Sequence, residues 1–133
     1  MRQLRSMSLL LPLVLAAPAA AEDLWWQQVP DIYAGEIWSG DAMHPGQTQF
    51  TQTDDGRLVG SYSFLEDNGQ RQRGTLDHCE PTGLRRLTCR WHDGYGSGLV
   101  KLQFSQGLDR FKGGWLQSGM AVRPWRGERI PRS

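Results

Sequence analysis

His78, Cys79, Cys89 and His92 form the series H-C-x9-C-x2-H, residue types that bind metals or do redox chemistry. As two thiolates and two imidazoles they would suit a tetrahedral zinc ion, and the C-x2-H half has ligand spacing. The adjacent His78-Cys79 pair does not, because neighbours on a strand point to opposite faces. The other use for the sulfurs is a Cys79–Cys89 disulfide, and the compartment of the chain decides between the two.

Other chemistry is sparser. His44 lies in "GDAMHPGQ" beside Asp41 and Met43. Thioether and imidazole suit copper, but one of each is too few, and a solvated loop between strands is expected. The segment "WHDGYGSG" at 91–98 alternates glycines after His92-Asp93. A phosphate cradle would need those glycines to open a helix, yet "LVKLQF" follows and reads as a strand. A glycine-rich hairpin loop at a barrel rim is expected instead, its glycines supplying positive φ. There is no G-x-S-x-G, no H-E-x-x-H and no Cys-His arrangement that survives disulfide formation, so no catalytic residue is assigned. Asp41, Glu66, Asp67 and Asp93 fall in expected turns, where turn chemistry explains them.

The chain's beginning settles the compartment question in favour of the disulfide. "MRQLRSMSLLLPLVLAAPAAAED" has Arg2 and Arg5, an apolar run from Leu9 to Ala17, and Ala19-Ala20-Ala21 as an A-x-A cleavage pattern. That is the pattern of a secretory signal peptide over residues 1–21, cleaved after Ala21. The apolar run is short for a membrane span and no Cys follows it, so no transmembrane or lipid anchor is expected. A periplasmic or secreted location follows, and there Cys79 and Cys89 pair, so no metal or cofactor is expected. The leader holds two of the 15 basic residues and none of the 14 acidic ones. The remainder is nearly neutral, which argues against nucleic acid as a partner.

Beyond residue 30 no helical period persists. Residues 22–33 form an N-terminal extension in which "EDLWWQQVPD" holds one short helical turn. Its Trp25-Trp26 pair either plugs an end of the core or forms a partner-binding patch. Residues 34–133 make a single domain with eight expected strands: 34–40, 47–53, 57–65, 71–78, 86–92, 99–105, 110–117 and 122–128. Short turn segments join them, such as "DDG" at 54–56, "EDNGQ" at 66–70 and "EPTGL" at 80–84. Leu58, Tyr62 and Phe64 alternate onto one face; so do Leu87, Cys89 and Trp91, then Val100, Leu102 and Phe104, then Phe111, Gly113 and Trp115. Leu76 and Cys79 have opposite parity, so a bulge or a strand end near His78 is required for the disulfide. Pro124 implies an edge position or a bulge. Eight strands with tight links and one apolar face close most simply into an all-β, antiparallel up-and-down barrel.

The series "GEIWSG", "DDGRLVGSYSF", "RGTL", "CRWHDGYGSG", "DRFKGGWL" and "PWRGER", over about residues 34–129, resembles the pattern of avidin-like eight-stranded barrels. It is more similar still to secreted bacterial proteins that carry F-x-G-x-W followed by W-x-G-x-R. The resemblance implies the barrel. Of the groups that hold biotin in avidin-like proteins, only Tyr62, Ser63 and Trp115 fall near matching positions. Trp38 is followed by Ser39, Gly40 and Asp41 where Asn and Ser belong, so biotin binding is not expected. Lipocalin-like barrels of the wider calycin group pack a first-strand Trp under a last-strand Arg. The resemblance implies such a stack between Trp38 and Arg126 or Arg129.

Three functions fit this frame. In the first, a non-catalytic barrel binds a small apolar or aromatic ligand in a cup lined by Trp38, Tyr62, Phe64, Trp91, Phe104 and Trp115, or a protein at its rim. In the second, an inhibitor or immunity-type protein contacts a cell-envelope protein through Trp25, Trp26, His44, His92 and Asp93. A wall of Arg71, Arg73, Arg85, Arg86, Arg90, Arg110 and Lys112 offers that partner, or anionic envelope sugars, a basic surface. In the third, a hydrolase uses a pair of carboxylates at the barrel mouth.

Overall fold

Period-two alternation of large apolar residues produces strands, and the computed structural model contains eight, β1 to β8, within its described residues 24–131. They are β1 (Ile32–Ser39), β2 (Ala42–Gln52), β3 (Leu58–Leu65), β4 (Arg71–Gly83), β5 (Arg86–Asp93), β6 (Gly96–Phe104), β7 (Arg110–Leu116) and β8 (Arg123–Arg129). Each pairs antiparallel with the next, and β8 pairs back with β1, so the sheet closes into an up-and-down barrel. The signal peptide expected over residues 1–21 lies outside the described residues. Among the described residues no helix is long and apolar enough to cross a membrane.

The inward faces are those that alternation marks. Leu58, Tyr62, Phe64, Leu76, Leu87, Cys89, Trp91, Val100, Leu102, Phe104 and Phe111 are all buried. Before β1, a 3-10 turn (Trp25–Gln28) replaces a regular helix. It lies across the end where β2 meets β3 and β6 meets β7. Trp25 sits 6.0 Å from Phe104, and both Trp25 and Trp26 pack against the core half-buried. They plug the barrel rather than forming a free patch.

Tyr33 anchors this closed end. Its hydroxyl donates to the Leu108 carbonyl (2.8 Å) and accepts from Arg129 Nη2 (2.9 Å). The same Arg129 nitrogen donates to the Gln28 carbonyl of the 3-10 turn (3.0 Å), its Nε lies 3.4 Å from Asp31, and its guanidinium stands 5.5 Å over the Tyr33 ring. The expected Trp38–Arg126 or Trp38–Arg129 stack is therefore not formed. Register explains why: Arg129 pairs with Tyr33 and Arg126 with Glu36, whereas Trp38 lies beyond the last β1–β8 pair, Ile37–Trp125. Arg123 is the residue that reaches Trp38, 5.7 Å over its ring.

Three boundaries differ from the sequence expectation by three residues or more. β2 begins at Ala42, so "AMHPG" is strand, because Gly40-Asp41 turns the chain in two residues and Gly40 has φ 66°. Pro45 is tolerated because β3 pairing starts only at Gly46–Phe64. β4 runs on to Gly83, beyond β3's last partner at Leu76, so Pro81 has no β3 neighbour to bond. The Gly-rich loop after Trp91 shrinks to a Gly94-Tyr95 turn, with Asp93 ending β5 and Gly96 starting β6.

The bulge near His78 is present. His78 has φ 49°, and the β4–β5 register shifts between Asp77 and Glu80. That slip changes the phase of β4, and Cys79 joins buried Cys89 in a disulfide.

Candidate functional site

The two ends of the barrel are not equivalent. At the closed end Tyr33, Phe50, Phe104 and Phe111 interlock with ring centroids 5.3–6.4 Å apart. At the other end, where β1 meets β2, β3 meets β4, β5 meets β6 and β7 meets β8, a cavity of about 520 Å³ opens. That volume falls in the range of small-molecule sites.

Aromatic side chains make its walls. Tyr62, Phe64, Trp91 and Trp115 line it, as alternation predicts; Trp38, expected in the cup, lines it too although its β1 neighbour Ile37 has the inward parity, and Trp125 and Ile37 complete it. Phe104 does not reach it. It shares the inward face but lies at the far end of β6, in the packed cluster with Tyr33, so it leaves the cup. Trp125, which the sequence pattern does not single out, shares its parity in β8 with Arg123 and Gly127. It is buried, donates from Nε1 to Thr48 Oγ1 (2.9 Å) and meets the Tyr62 ring edge-on at 4.7 Å. Trp91 and Trp115 stand edge-to-face at 5.2 Å. Their indole nitrogens donate to the carbonyls of Leu116 (3.3 Å) and Trp38 (2.8 Å), which fixes both rings.

Two glycines make room for these rings. A Cβ on Gly74 would lie 2.1 Å from Tyr62 Cζ, so the ring lies flat over its cross-strand neighbour. A Cβ on Gly98 would lie 2.1 Å from the Leu116 carbonyl and 2.8 Å from the Trp91 indole nitrogen. Gly98 thus serves close packing. In the same segment only Gly96 (φ 136°) supplies the expected positive φ.

Carboxylates ring the mouth. Asp41, Glu66, Asp67 and Asp93 line it, together with Tyr95, Gln117 and Met120. Tyr62 donates from its hydroxyl to Asp93 Oδ2 (2.7 Å), and the Tyr95 amide donates to Asp93 Oδ1 (2.8 Å). Burial, and then the Asp93 carboxylate, hold the Tyr62 phenol well above the ordinary tyrosine range. The Tyr95 hydroxyl donates to Glu66, and that bond raises the Tyr95 phenol. Asp93 was expected on a partner surface; it belongs to the cup.

His44 was expected in a solvated loop and is 7% exposed, pointing inward from β2. Its Nδ1 lies 3.1 Å from the Leu65 carbonyl oxygen and its Nε2 3.0 Å from that of Ser39, with Asp67 3.8 Å away. Pro45 and Gly46 suggested a loop and hid it. His92 faces outward and, with His78, bonds to Asp77 Oδ1 at 3.0 Å. The His78 bond, then that of His92, hold the Asp77 carboxyl below its usual range. The four residues of the H-C-x9-C-x2-H series therefore form a disulfide and a His–Asp–His cluster on the outside.

The basic wall stands on the outer face. Arg71, Arg73, Arg86, Arg90, Arg110 and Lys112 are exposed there and Arg85 sits in the β4–β5 turn. Lys101 on β6, overlooked in the sequence, fills the gap between the β5 and β7 residues.

These features define a small closed barrel with one plugged end and one open aromatic cup. Compared with known proteins, the chain matches no family model, no curated protein and no solved structure.

Proposed function

We propose that the protein is an exported, non-catalytic β-barrel that holds a small, flat apolar or aromatic molecule in its cup. The observation that carries this reading is the cavity of about 520 Å³ walled by Tyr62, Phe64, Trp91, Trp115 and Trp125. A barrel filled throughout by its own side chains would leave no such space, although Tyr62, Phe64, Trp91 and Trp125 are themselves buried in the core. The indole nitrogens and the Tyr62 hydroxyl already have partners, so the rings present apolar faces without a desolvation penalty. The signal-peptide pattern and the disulfide favour an oxidising compartment outside the cytoplasm. The two tyrosines at the mouth, their phenols raised, are poorly suited to act as general bases.

The test uses N-phenyl-1-naphthylamine, a neutral aromatic whose emission rises in apolar surroundings. The oxidised protein is expected to bind one molecule with quenching of its own tryptophan emission, and Trp115→Ala to weaken binding about tenfold. Absence of saturable binding would overturn the cup reading. The competing reading is a rim that grips a protein, which the exposed Tyr95, Met120 and Val122 favour. Its signature is a stoichiometric envelope protein retained on the immobilised barrel with no small molecule released on denaturation.

A further inference from the structure

The charge at the mouth is one-sided. Four carboxylate residues, Asp41, Glu66, Asp67 and Asp93, line the cavity, and no Lys or Arg does among the described residues. The nearest bases are already engaged. His44 is held between two carbonyls below the lip, and Arg123 lies over the Trp38 ring. Asp93 is committed to Tyr62 and to the Tyr95 amide. Glu66 accepts from the Tyr95 hydroxyl, and Asp67, whose side chain is 90% exposed, lies 3.8 Å from His44 Nδ1.

Below this lip the walls are the side chains of Tyr62, Trp91, Trp115 and Trp125. The faces of such rings carry negative quadrupole density and attract ammonium groups, Trp most strongly. The Arg123–Trp38 contact places one cation on an indole at this rim already. The chain as a whole is nearly neutral, so the acidic mouth is a local feature and not a reflection of composition. Carboxylates around a low-dielectric opening also concentrate cations in front of it.

From this geometry we infer that the cup's ligand is a small organic cation, an ammonium carried on an apolar or aromatic body. The body lies among Trp91, Trp115 and Trp125, and the charge rests at the lip formed by Asp41, Glu66 and Asp67. The inference rests on the cup being a ligand site, and it narrows the ligand from any flat apolar molecule to a positively charged one. The basic wall lies on the outer face of the strands; Arg71, its member at the mouth end of β4, donates to Ser63 Oγ (3.1 Å).

Three probes of one shape test it: 4-phenylbutyltrimethylammonium, 4-phenylbutanol and 4-phenylbutyrate, each displacing N-phenyl-1-naphthylamine. The ammonium is expected to compete at about tenfold lower concentration than the alcohol, and the carboxylate to be weakest. Added salt is expected to narrow the spread. In the triple variant Asp41→Asn, Glu66→Gln, Asp67→Asn the ammonium-to-alcohol ratio is expected to fall toward one. Equal competition by ammonium and alcohol in the wild-type protein would overturn the charge assignment and leave the cup standing. A triple variant that kept the full preference would overturn the assignment to this lip. If the naphthylamine itself does not bind, the cup reading fails and the inference with it.

Discussion

The Tyr62 hydroxyl and the Asp93 carboxylate, 31 residues apart, meet at 2.7 Å across the mouth of the barrel. Tyr62 comes from the middle of β3 and Asp93 from the last position of β5, so the bond spans the intervening β4. Tyr62 can lean that far because its β4 neighbour is Gly74, which offers no side chain to block the ring. One hydrogen bond thereby orients a cup wall and holds a lip carboxylate in place.

Removing that hydroxyl isolates its contribution. Tyr62→Phe keeps the ring over Gly74 and its edge contact with Trp125 but leaves Asp93 without its side-chain donor. A bond to a carboxylate near solvent is worth about 1–2 kcal/mol. Urea unfolding should show a loss of that size with an unchanged m-value. A variant as stable as the parent would show that the bond contributes nothing net.

Burial of the tyrosines, with the bonds to Asp93 and Glu66, predicts how the protein responds to alkali. All three tyrosines, Tyr33, Tyr62 and Tyr95, are raised in the folded chain: the first two mainly by burial, Tyr95 mainly by its bond to Glu66. Unfolded tyrosines titrate near pH ~10. Above that pH the unfolded chain releases protons that the folded chain retains, so unfolding becomes more favourable. The contribution is fully present below the unfolded value and is lost as pH rises toward the folded ones. Absorbance at 295 nm, followed against pH, should place the native tyrosinate transition above that of the guanidinium-denatured chain. Overlaid native and denatured curves would refute the raised values.

The sequence reveals which side chains face inward but not how deep they lie. Alternation places Tyr62, Phe64, Trp91, Phe104 and Trp115 inside, and all are inward-facing. It cannot say that Phe104 packs against Tyr33 at the plugged end while Trp115 opens onto the cup. That depends on strand direction and on stagger around the barrel. The Tyr62–Asp93 bond needs the β3–β4–β5 register, which no local pattern encodes. His44 was lost for another reason. Pro45-Gly46 carries turn chemistry, and only the open β3 side of that position lets a strand pass through it.

The disulfide is legible in the sequence, which leaves a bulge or a strand end open at His78, and its worth can be measured. Cys79 and Cys89 close a loop with a sequence separation of 10. Chain-entropy reasoning assigns about 2–3 kcal/mol to a loop of that size. Reduction, or Cys79→Ser alone, should lower stability by that amount. Cys89→Ser should cost more, because it puts a hydroxyl at a position 1% exposed in the core. Equal losses for the two substitutions would indicate that the Cys89 site is less apolar than its neighbours suggest.

Arg126 and Arg129, three residues apart in "WRGER", look interchangeable in the sequence and are not in the fold. Arg126 pairs with Glu36 on the outer face, with its side chain 60% exposed. Exposed pairs of that kind contribute about 0–1 kcal/mol, because water and salt screen them and two long side chains must be ordered. Arg129 is 29% exposed and joins three parts of the closed end: the Gln28 carbonyl, the Tyr33 hydroxyl and ring, and Asp31. Replacing it by Met keeps the aliphatic bulk and removes the charge and the donors. The Gln28 carbonyl and Tyr33 then lose their shared donor, which should cost about 2–4 kcal/mol as charged hydrogen bonds and a cation–π contact disappear together. Arg126→Met should cost less than about 1 kcal/mol. The plug should report the difference as well. With Arg129 gone, the 3-10 turn loses its tie to β8, and Trp25 and Trp26 should become wetter. Their emission should shift to the red in Arg129→Met and stay in place in Arg126→Met. Similar losses in the two variants, or a red shift in Arg126→Met, would show that Arg129 does not hold the plug.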